Sequence, residues 1–268
     1  MWLCSWQRSG STLLAEVLAS APGTRLIYEP ANLPAGIVTG EAAAVLPLPT
    51  GPGPELGAVE RALRGRVRGA WVDQLCDCHL VRRRVVKDVR AIGLLDLVGA
   101  RHPRAPIVVL LRHPLSVALS AVGLGWTDPK IGSPNEQLLA EVRRWTELHG
   151  AALRAPSAAR ALVVAYEHLV EAPHETLDRV TAHLALHHPT WCELPIDRHR
   201  LEAPSSTSFR RTTPLSASEW IGTFEAVERH LLDETVRLLD EAGLAELYGE
   251  SPQPLVGPEA LSSVSTLR

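Results

Sequence analysis

The sequence predicts a three-layer α/β domain in which a central parallel β-sheet is flanked by helices. Two observations carry this prediction. Residues 84–89, 106–111 and 161–166 are continuous apolar runs rich in β-branched residues, as is typical of parallel strands covered on both faces. Segments with apolar residues at helical spacing lie between these runs. This alternation of strands and helices is typical of the α/β class.

The elements follow one another from the N-terminus. Residues 2–6 (WLCSW) form a fourth apolar run, of weaker pattern, and predict the first strand. A hydroxyl-rich turn, QRSGST at residues 7–12, leads into a helical pattern that Pro22-Gly23 ends. Pro173 suits a first helical turn, and Gly243 lies just beyond the last helix. The predicted helices are residues 12–20, 91–101, 115–122, 135–154, 173–185 and 218–242.

The chain of 268 residues is long enough to bury a substantial core, and we expect one domain over residues 1–248. Residues 249–268 are expected to form a flexible C-terminal tail. Residues 43–56 (AAVLPLPTGPGPEL) are punctuated by Pro and Gly, which predicts a long surface excursion. Such an excursion is either close to the ligand or a tolerated insertion, and the sequence leaves both interpretations open.

Charge and composition argue against several classes of partner. With 27 Lys and Arg against 30 Asp and Glu, the net charge is −3, so no global basic field favours nucleic acid or an anionic membrane. No apolar run approaches the ~20 residues that span a bilayer, and the N-terminus lacks a signal-peptide pattern, so we expect a cytoplasmic protein. Any anion site must therefore be local.

The four cysteines are too few and too unevenly placed for a disulfide framework, so reduced thiols are expected. Cys76 and Cys78, with His79, could be drawn as a metal clip. No second Cys or His pair at zinc-site spacing accompanies them, so we expect no metal.

The turn at residues 9–12 is suited to binding a phosphate. Backbone N–H groups at the start of a helix point at an anion, and hydroxyl side chains add further donors. The loop G-x-x-x-x-G-K-[ST] is absent, because Ser11 rather than Lys follows Gly10, and the cation Arg8 precedes the glycine by two residues. A site for a magnesium nucleoside triphosphate is thereby disfavoured, whereas an ordinary helix cap remains an alternative.

A second candidate anion site lies in the stretch IVVLLRHPLSVALSAVG. Arg112 ends a buried strand, Pro114 suits the first helical position, and Ser116 and Ser120 share one helix face. Arg112 and Ser120 could therefore converge on a second anion, because the planar fork of Arg can donate two parallel hydrogen bonds to phosphate. The alternative is a surface ion pair for Arg112 and no particular role for Ser120.

Together these two segments resemble the sulfotransferase family, which takes a sulfuryl group from 3′-phosphoadenosine 5′-phosphosulfate (PAPS). Arg8-Ser9-Gly10-Ser11-Thr12 is similar to the family's 5′-phosphosulfate loop. Arg112 and Ser120, eight positions apart, are similar to its 3′-phosphate motif. The resemblance covers roughly residues 2 to 225 and implies a P-loop-containing nucleotide-hydrolase-like fold.

The resemblance implies a role for each matching residue. Ser9, Gly10, Ser11 and Thr12 would hold the 5′-phosphate. Arg8 would lie against the sulfuryl group and the bridging oxygen, where charge accumulates as the leaving phosphate departs. Arg112 and Ser120 would bind the 3′-phosphate, which distinguishes this donor and its product, adenosine 3′,5′-bisphosphate (PAP), from ATP.

Two later segments extend the resemblance. Within VVAYEHLVEAPHETLDRVTAHLAL, Tyr166 is expected either to contact the adenine or to be a core residue at the strand end. Within STSFRRTTPLSASEW, Arg210 and Arg211 are weaker candidates for the 3′-phosphate, because Thr212 stands where the family has a glycine.

The resemblance also names a candidate base. Many small-molecule sulfotransferases use a His two residues after a strand-ending Lys; here Lys87 is present but Val89 occupies the His position. Carbohydrate-type and bacterial relatives use a Glu after the first helix, which implies Glu29 as the base with Lys87 assisting at the sulfuryl group. The alternative is that Glu29 is a strand-end carboxylate paired with a cation such as Arg25.

The function implied is sulfuryl transfer from PAPS to a hydroxyl of a small-molecule acceptor, a carbohydrate or a natural product, by in-line displacement. Two alternatives are a P-loop kinase or nucleotide hydrolase, and a non-catalytic nucleotide-binding scaffold of the same fold. The sequence leaves the acceptor and the oligomeric state open.

Overall fold

The computed structural model describes residues 1–32, 50–75, 80–128, 130–186 and 227–248. Within these ranges, five strands form one parallel sheet in the order β2-β3-β1-β4-β5. This confirms the predicted α/β fold with a central parallel sheet. The strands are β1 (Trp2–Ser5), β2 (Thr24–Tyr28), β3 (Arg83–Asp88), β4 (Ile107–Leu111) and β5 (Ala161–Ala165).

Helices cover both faces of the sheet. They are α1 (Ser11–Ala19), α2 (Pro54–Leu63), α3 (Leu95–Arg101), α4 (Pro114–Gly123), α5 (Pro134–Arg154), α6 (Tyr166–Glu171), α7 (Pro173–His183) and α8 (Arg229–Glu241). Short 3-10 helices at Ile92–Leu94 and Pro156–Arg160 precede α3 and β5. Two apolar layers result, because alternate strand residues point to opposite faces. The strands therefore consist of continuous apolar runs because both of their faces are buried.

Local sequence signals fix most helix starts. Ser133 and Glu136 form a reciprocal capping box at the start of α5, and Pro114 and Pro173 occupy the first helical positions of α4 and α7. The predicted helix at 91–101 divides into a 3-10 turn and α3. The predicted helix 218–242 is described only in part. Its described part contains α8, whereas residues 218–226 lie outside the described ranges.

The structure corrects the prediction at three places. Strand β2 was not predicted, because it is short and contains Arg25, a residue type that rarely lies inside a sheet. The Arg25 guanidinium is buried and donates to Asp73 Oδ1 from Nε at 2.9 Å and from Nη2 at 2.6 Å. Partners 48 residues away in the sequence therefore make this strand possible.

The second correction concerns the predicted surface excursion at residues 43–56. Its last three residues begin helix α2, and Leu56 and Val59 of that helix are buried in the core. Residues 43–49, like the predicted tail at 249–268, lie outside the described residues. The 161–166 run also ends one residue early as a strand, since Tyr166 begins α6.

The sheet order decides which loops meet. Strand β1 lies between β3 and β4, so the loops that leave the carboxyl ends of these three strands are neighbours at one edge. Ligands bind at this edge in open α/β sheets. Among the described helices, none combines the length and the apolar character needed to cross a membrane.

Candidate active site

The loop after β1 has a conformation that requires glycine. Gly10 has φ of 82°, in the left-handed region, and precedes the first residue of α1. A Cβ atom on Gly10 would lie 2.3 Å from Tyr166 Cδ2, so the ring leaves no room for any other residue. No side chain of the described residues caps α1, and the N–H groups of its first turn have no partner inside the helix. An anion at this position would be stabilised.

The hydroxyl groups of this loop suit the same ligand. Ser9 and Ser11 are buried, and within the described ranges the Ser9 hydroxyl has no hydrogen-bond partner. A buried polar group without a partner is costly in a protein interior. A phosphate held by the N-terminus of α1 fits a loop with this donor set.

Two arginines and a serine from distant parts of the chain meet beside this loop. Arg8 Nε donates to Ser120 Oγ at 3.0 Å, although the two residues are 112 positions apart. Arg112 Nη1 donates to the Arg8 carbonyl oxygen at 2.6 Å. The structure therefore brings together the residues of the two predicted anion motifs.

The Tyr166 ring packs against this cluster. The Arg112 guanidinium carbon lies 4.6 Å from the centre of the Tyr166 ring, a cation–π contact. Burial lowers the pKa of Arg112 to about 10, which leaves the guanidinium charged at neutral pH. Tyr166 is itself buried and lies between Gly10 and Arg112.

Trp126, a residue that the sequence did not single out, covers the other cation. The Arg8 guanidinium carbon lies 5.3 Å from the centre of the Trp126 ring. Trp126 follows the end of α4, so the helix that contributes Ser120 also places an aromatic ring on Arg8. No motif in the sequence marks this contact.

A second cluster lies at the ends of β2 and β3. Tyr28 and Lys87 are paired in register, and Lys87 Nζ donates to Glu29 Oε1 in a buried ion pair. Lys87 Nζ also lies 4.4 Å from the centre of the Tyr28 ring. The other carboxylate oxygen, Oε2, accepts a hydrogen bond from Asn32 Nδ2 at 2.8 Å. Glu29 is thus a carboxylate at the end of β2 that pairs with a cation, and this cation is Lys87 because Arg25 binds Asp73 instead.

The backbone around Glu29 is held in an uncommon conformation. Glu29 has φ of 42°, a value that few residues other than glycine adopt. Its N–H donates to the Lys87 carbonyl oxygen at 2.7 Å, and the Ala31 N–H donates to Asp88 Oδ2 at 2.8 Å. Burial raises the pKa of the Asp88 carboxyl group to about 6, although the N–H groups of Ala31 and Arg90, which donate to this carboxylate, oppose the shift. Asp88 therefore binds backbone, a role that the sequence did not suggest.

A third buried carboxylate lies behind Arg112. Glu167 Oε1 accepts a hydrogen bond from the His113 backbone N–H at 2.9 Å, and Oε2 accepts one from the Tyr248 hydroxyl at 3.1 Å. Burial raises the pKa of Glu167 to about 7. Tyr248 is 81 residues from Glu167, so sequence spacing could not reveal this contact.

Several predicted residues cannot be placed. Arg210, Arg211, Cys76 and Cys78 lie outside the described residues. In the ranges that the structure describes, no three His, Cys, Asp or Glu side chains are grouped so that they could hold a metal ion.

A parallel α/β sheet with a loop of this kind at the start of a helix is typical of proteins that bind phosphate-containing ligands. The sequence profile of the Sulfotransferase family matches residues 3–190, and the chain belongs to this family. Membership supports sulfuryl transfer as its activity. No curated protein matches the chain.

Solved structures with a similar fold are also sulfotransferases. Mouse sulfotransferase SULT7A1, complexed with PAP, aligns with a TM-score of 0.54 and 15% identity over 92% of this chain and 88% of its own. A sulfotransferase from Alicyclobacillus acidocaldarius aligns with a TM-score of 0.49 and 17% identity over 91% and 93% of the two chains. At this identity the mouse structure shows the shared fold alone.

Proposed function

We propose that the protein transfers a sulfuryl group from PAPS to a hydroxyl of a small-molecule acceptor, a carbohydrate or a natural product. The observation that carries this proposal is the convergence of Arg8, Arg112 and Ser120 beside the N-terminus of α1. A single phosphate needs only the loop, whereas two arginines and a second hydroxyl provide for a second anionic group. Family membership supplies the chemistry that connects the two.

The proposal gives each donor contact a physical role. Ser9, Ser11 and Thr12 hold the 5′-phosphate together with the backbone of Gly10 and the dipole of α1. Arg112 and Ser120 bind the 3′-phosphate, and Tyr166 supports the Arg112 guanidinium beside the adenosine. Outside the described ranges, Arg210 and Arg211 add contacts to the same phosphate, within a transferase domain that comprises residues 1–248.

Arg8 stabilises the charge that develops during transfer. PAPS supplies an activated sulfuryl group whose leaving group is a phosphate. The Arg8 guanidinium, held between Ser120 and Trp126, lies beside the loop where that leaving oxygen gains charge. Preorganised donors of this kind contribute about 2.7–4 kcal/mol to transition-state stabilisation in other enzymes.

Glu29 acts as the general base in this proposal, as in the carbohydrate-type and bacterial relatives. It removes the proton of the acceptor hydroxyl as the oxygen attacks sulfur. Lys87 and Asn32 each donate to one carboxylate oxygen. A carboxylate offers about four acceptor positions, so room remains for the acceptor hydroxyl. Lys87 also brings a positive charge close to the reacting sulfuryl group.

Ligand-induced thermal stabilisation tests the donor. We expect PAP to raise the melting temperature and Mg-ATP to leave it nearly unchanged; a ligand at 100 times its Kd stabilises by about 2.7 kcal/mol. Arg112→Ala should abolish the response to PAP, and Arg143→Ala, at an exposed position on α5, should keep it. Stabilisation by Mg-ATP but not by PAP would instead favour the kinase or hydrolase alternative.

Sulfuryl transfer itself is tested with PAPS and a panel of carbohydrate and natural-product hydroxyls. We expect formation of PAP that depends on the acceptor. Tight PAP binding without transfer to any acceptor would indicate the non-catalytic scaffold instead.

A further inference from the structure

The buried carboxylate of Glu167 lies outside the residues to which the proposed function gives a role. Its Oε1 accepts from the backbone N–H of His113, the residue directly after Arg112, at 2.9 Å. Its Oε2 accepts from the Tyr248 hydroxyl at 3.1 Å. Glu167, His113 and Tyr248 are all buried. One carboxylate thus connects the β4–α4 turn, the start of α6 and the end of the described chain.

Tyr166 and Glu167 hold the end of β4 by two contacts, one to the Arg112 side chain and one to the His113 backbone. The Tyr166 ring lies under the Arg112 guanidinium at 4.6 Å, and the Glu167 carboxylate binds the next backbone amide. The His113 ring meets Tyr248 edge-on, with ring centres 5.2 Å apart. The side chain and the backbone at the end of β4 are therefore fixed by neighbouring residues of one short helix.

We propose that Glu167 is the positioning residue of the 3′-phosphate site, and that the Tyr248 hydroxyl keeps its carboxylate in place. This inference rests on the proposed function, because it assumes that Arg112 binds the 3′-phosphate. In this scheme Glu167 does not contact PAPS. It acts through the backbone of His113, which sets the direction in which Arg112 leaves β4.

The physical reason is the cost of an unpaired amide. The His113 N–H is buried where α4 begins, and its hydrogen bond goes to the Glu167 carboxylate. Without an acceptor at this position, the buried N–H would be left without a hydrogen bond, which destabilises this conformation of the turn, and the turn would shift to recover a partner. A shift of the turn moves Arg112, whereas the loop at residues 9–12 stays where β1 places it.

The test is discrimination between two nucleotides. PAP carries a 3′-phosphate, and adenosine 5′-monophosphate (AMP) lacks it. Calorimetric titration gives the ratio of their Kd values, which reports on the 3′-phosphate site alone. In Glu167→Met, a variant of similar volume without an acceptor, we expect the preference for PAP over AMP to fall about tenfold while AMP binding changes little. In Glu167→Gln, whose carbonyl oxygen can still accept from His113, we expect the preference to stay within about threefold of the native value.

Two further variants keep the test decisive. Tyr248→Phe removes only the second hydrogen bond and should lower the preference about threefold, which decides the matter if Glu167→Met does not fold. Thr235→Val removes a buried hydrogen bond from Thr235 to the Leu231 carbonyl oxygen in α8 and should lower the melting temperature but not the preference.

The possible outcomes distinguish a failure of the positioning role of Glu167 from a failure of the proposed 3′-phosphate site. An unchanged preference for PAP in folded Glu167→Met, or in Tyr248→Phe where the former is unfolded, would overturn the positioning role. A native protein that binds AMP as well as PAP would overturn the assignment of Arg112 and Ser120 instead.

Discussion

The two halves of the candidate site are held together in different ways. The donor half joins the loops after β1, β4 and β5 through contacts between residues far apart in sequence; it consists of Arg8 to Thr12, Arg112, Ser120, Tyr166 and Glu167. The acceptor half joins only the ends of the adjacent strands β2 and β3; it consists of Glu29, Asn32, Lys87 and Asp88. Several strands thus fix the donor half, whereas a single strand pair fixes the acceptor half.

This difference suits the different demands of binding the sulfuryl donor and binding the acceptor. A site for an invariant donor benefits from a rigid frame, because misplaced phosphate contacts reduce both binding and rate. A site for a variable acceptor is better built at the end of one strand pair, where a substitution does not disturb the strands that fix the donor half. We expect acceptor-half variants to change turnover with little effect on PAP affinity, and donor-half variants to change PAP affinity.

Glu29→Gln should give the largest effect and test the acceptor half. Loss of the general base is expected to lower kcat by about 10³-fold while the Kd of PAP stays unchanged. Turnover and calorimetry measure the two quantities. Because Gln leaves the buried Lys87 ammonium without its counter-ion, the variant should also melt at a lower temperature. Glu147→Gln, at an exposed carboxylate on α5, is the control, and native turnover in Glu29→Gln would remove Glu29 as the base.

Arg8→Ala should lower kcat by about 10²–10³-fold, because a preorganised donor at the departing phosphate is lost. Steady-state rates with PAPS at saturation measure this. The comparison of the two halves predicts that PAP affinity falls as well, since the Arg8 guanidinium also holds the Ser120 hydroxyl. A loss of turnover with native PAP affinity would show that the donor half does not depend on this cross-connection.

The pH dependence of stability should distinguish Glu167 from the rest of the donor half. Its pKa is raised from 4.5 to about 7, so the folded state keeps a proton that the unfolded state loses. Its stabilising contribution is complete below pH 4.5 and is lost as the pH rises to 7, by about 3 kcal/mol in total. Arg112, His113 and Tyr248 face the carboxylate.

The measurement is chemical denaturation of the native protein and of Glu167→Gln from pH 4 to pH 8. The variant should become more stable relative to the native protein as the pH rises through this window. Asp88, with its pKa near 6, contributes equally to both proteins and cancels in the difference. Parallel stability curves would contradict a titrating Glu167.

Ser120→Ala should give the smallest effect, a loss of about three- to tenfold in PAP affinity, since one hydroxyl contact to the 3′-phosphate and one to Arg8 are removed. The same helix offers a matched control. Ser116 lies one turn earlier on α4, and the proposed site gives it no contact with either phosphate. Calorimetry should therefore show native PAP affinity in Ser116→Ala. Equal losses in both variants would indicate a general effect on α4.

The two anion motifs of the donor half were accessible from the sequence because each of them is short. Arg8 to Thr12 are consecutive, and Arg112 and Ser120 lie on one strand-to-helix connection. Parallel pairing of β1 with β4 then brings the two motifs to the same edge of the sheet. Three continuous apolar runs and a fourth of weaker pattern likewise predicted four of the five described strands.

The remaining features depend on contacts that no local pattern encodes. Arg25 becomes a strand residue only through Asp73, and Glu167 becomes a buried acceptor only through Tyr248. The partner of Glu29 was decided by strand register, which places Lys87 beside it and directs Arg25 elsewhere. Charged residues that lie outside a short motif and have partners distant in sequence, such as Arg25 and Glu167, are therefore the ones that sequence reasoning misplaced or missed.

The order of the strands has a consequence for how specificity can change. Since β1 lies in the middle of the sheet, the connection from β2 to β3, residues 29–82, can be altered without touching β4, β5 or their turns. Loop-closure entropy grows only slowly with loop length, so insertions that leave helix α2 and the Arg25–Asp73 pair intact cost little stability. We expect chimeras that exchange this one connection between family members to inherit the acceptor preference of the graft and the donor affinity of the host.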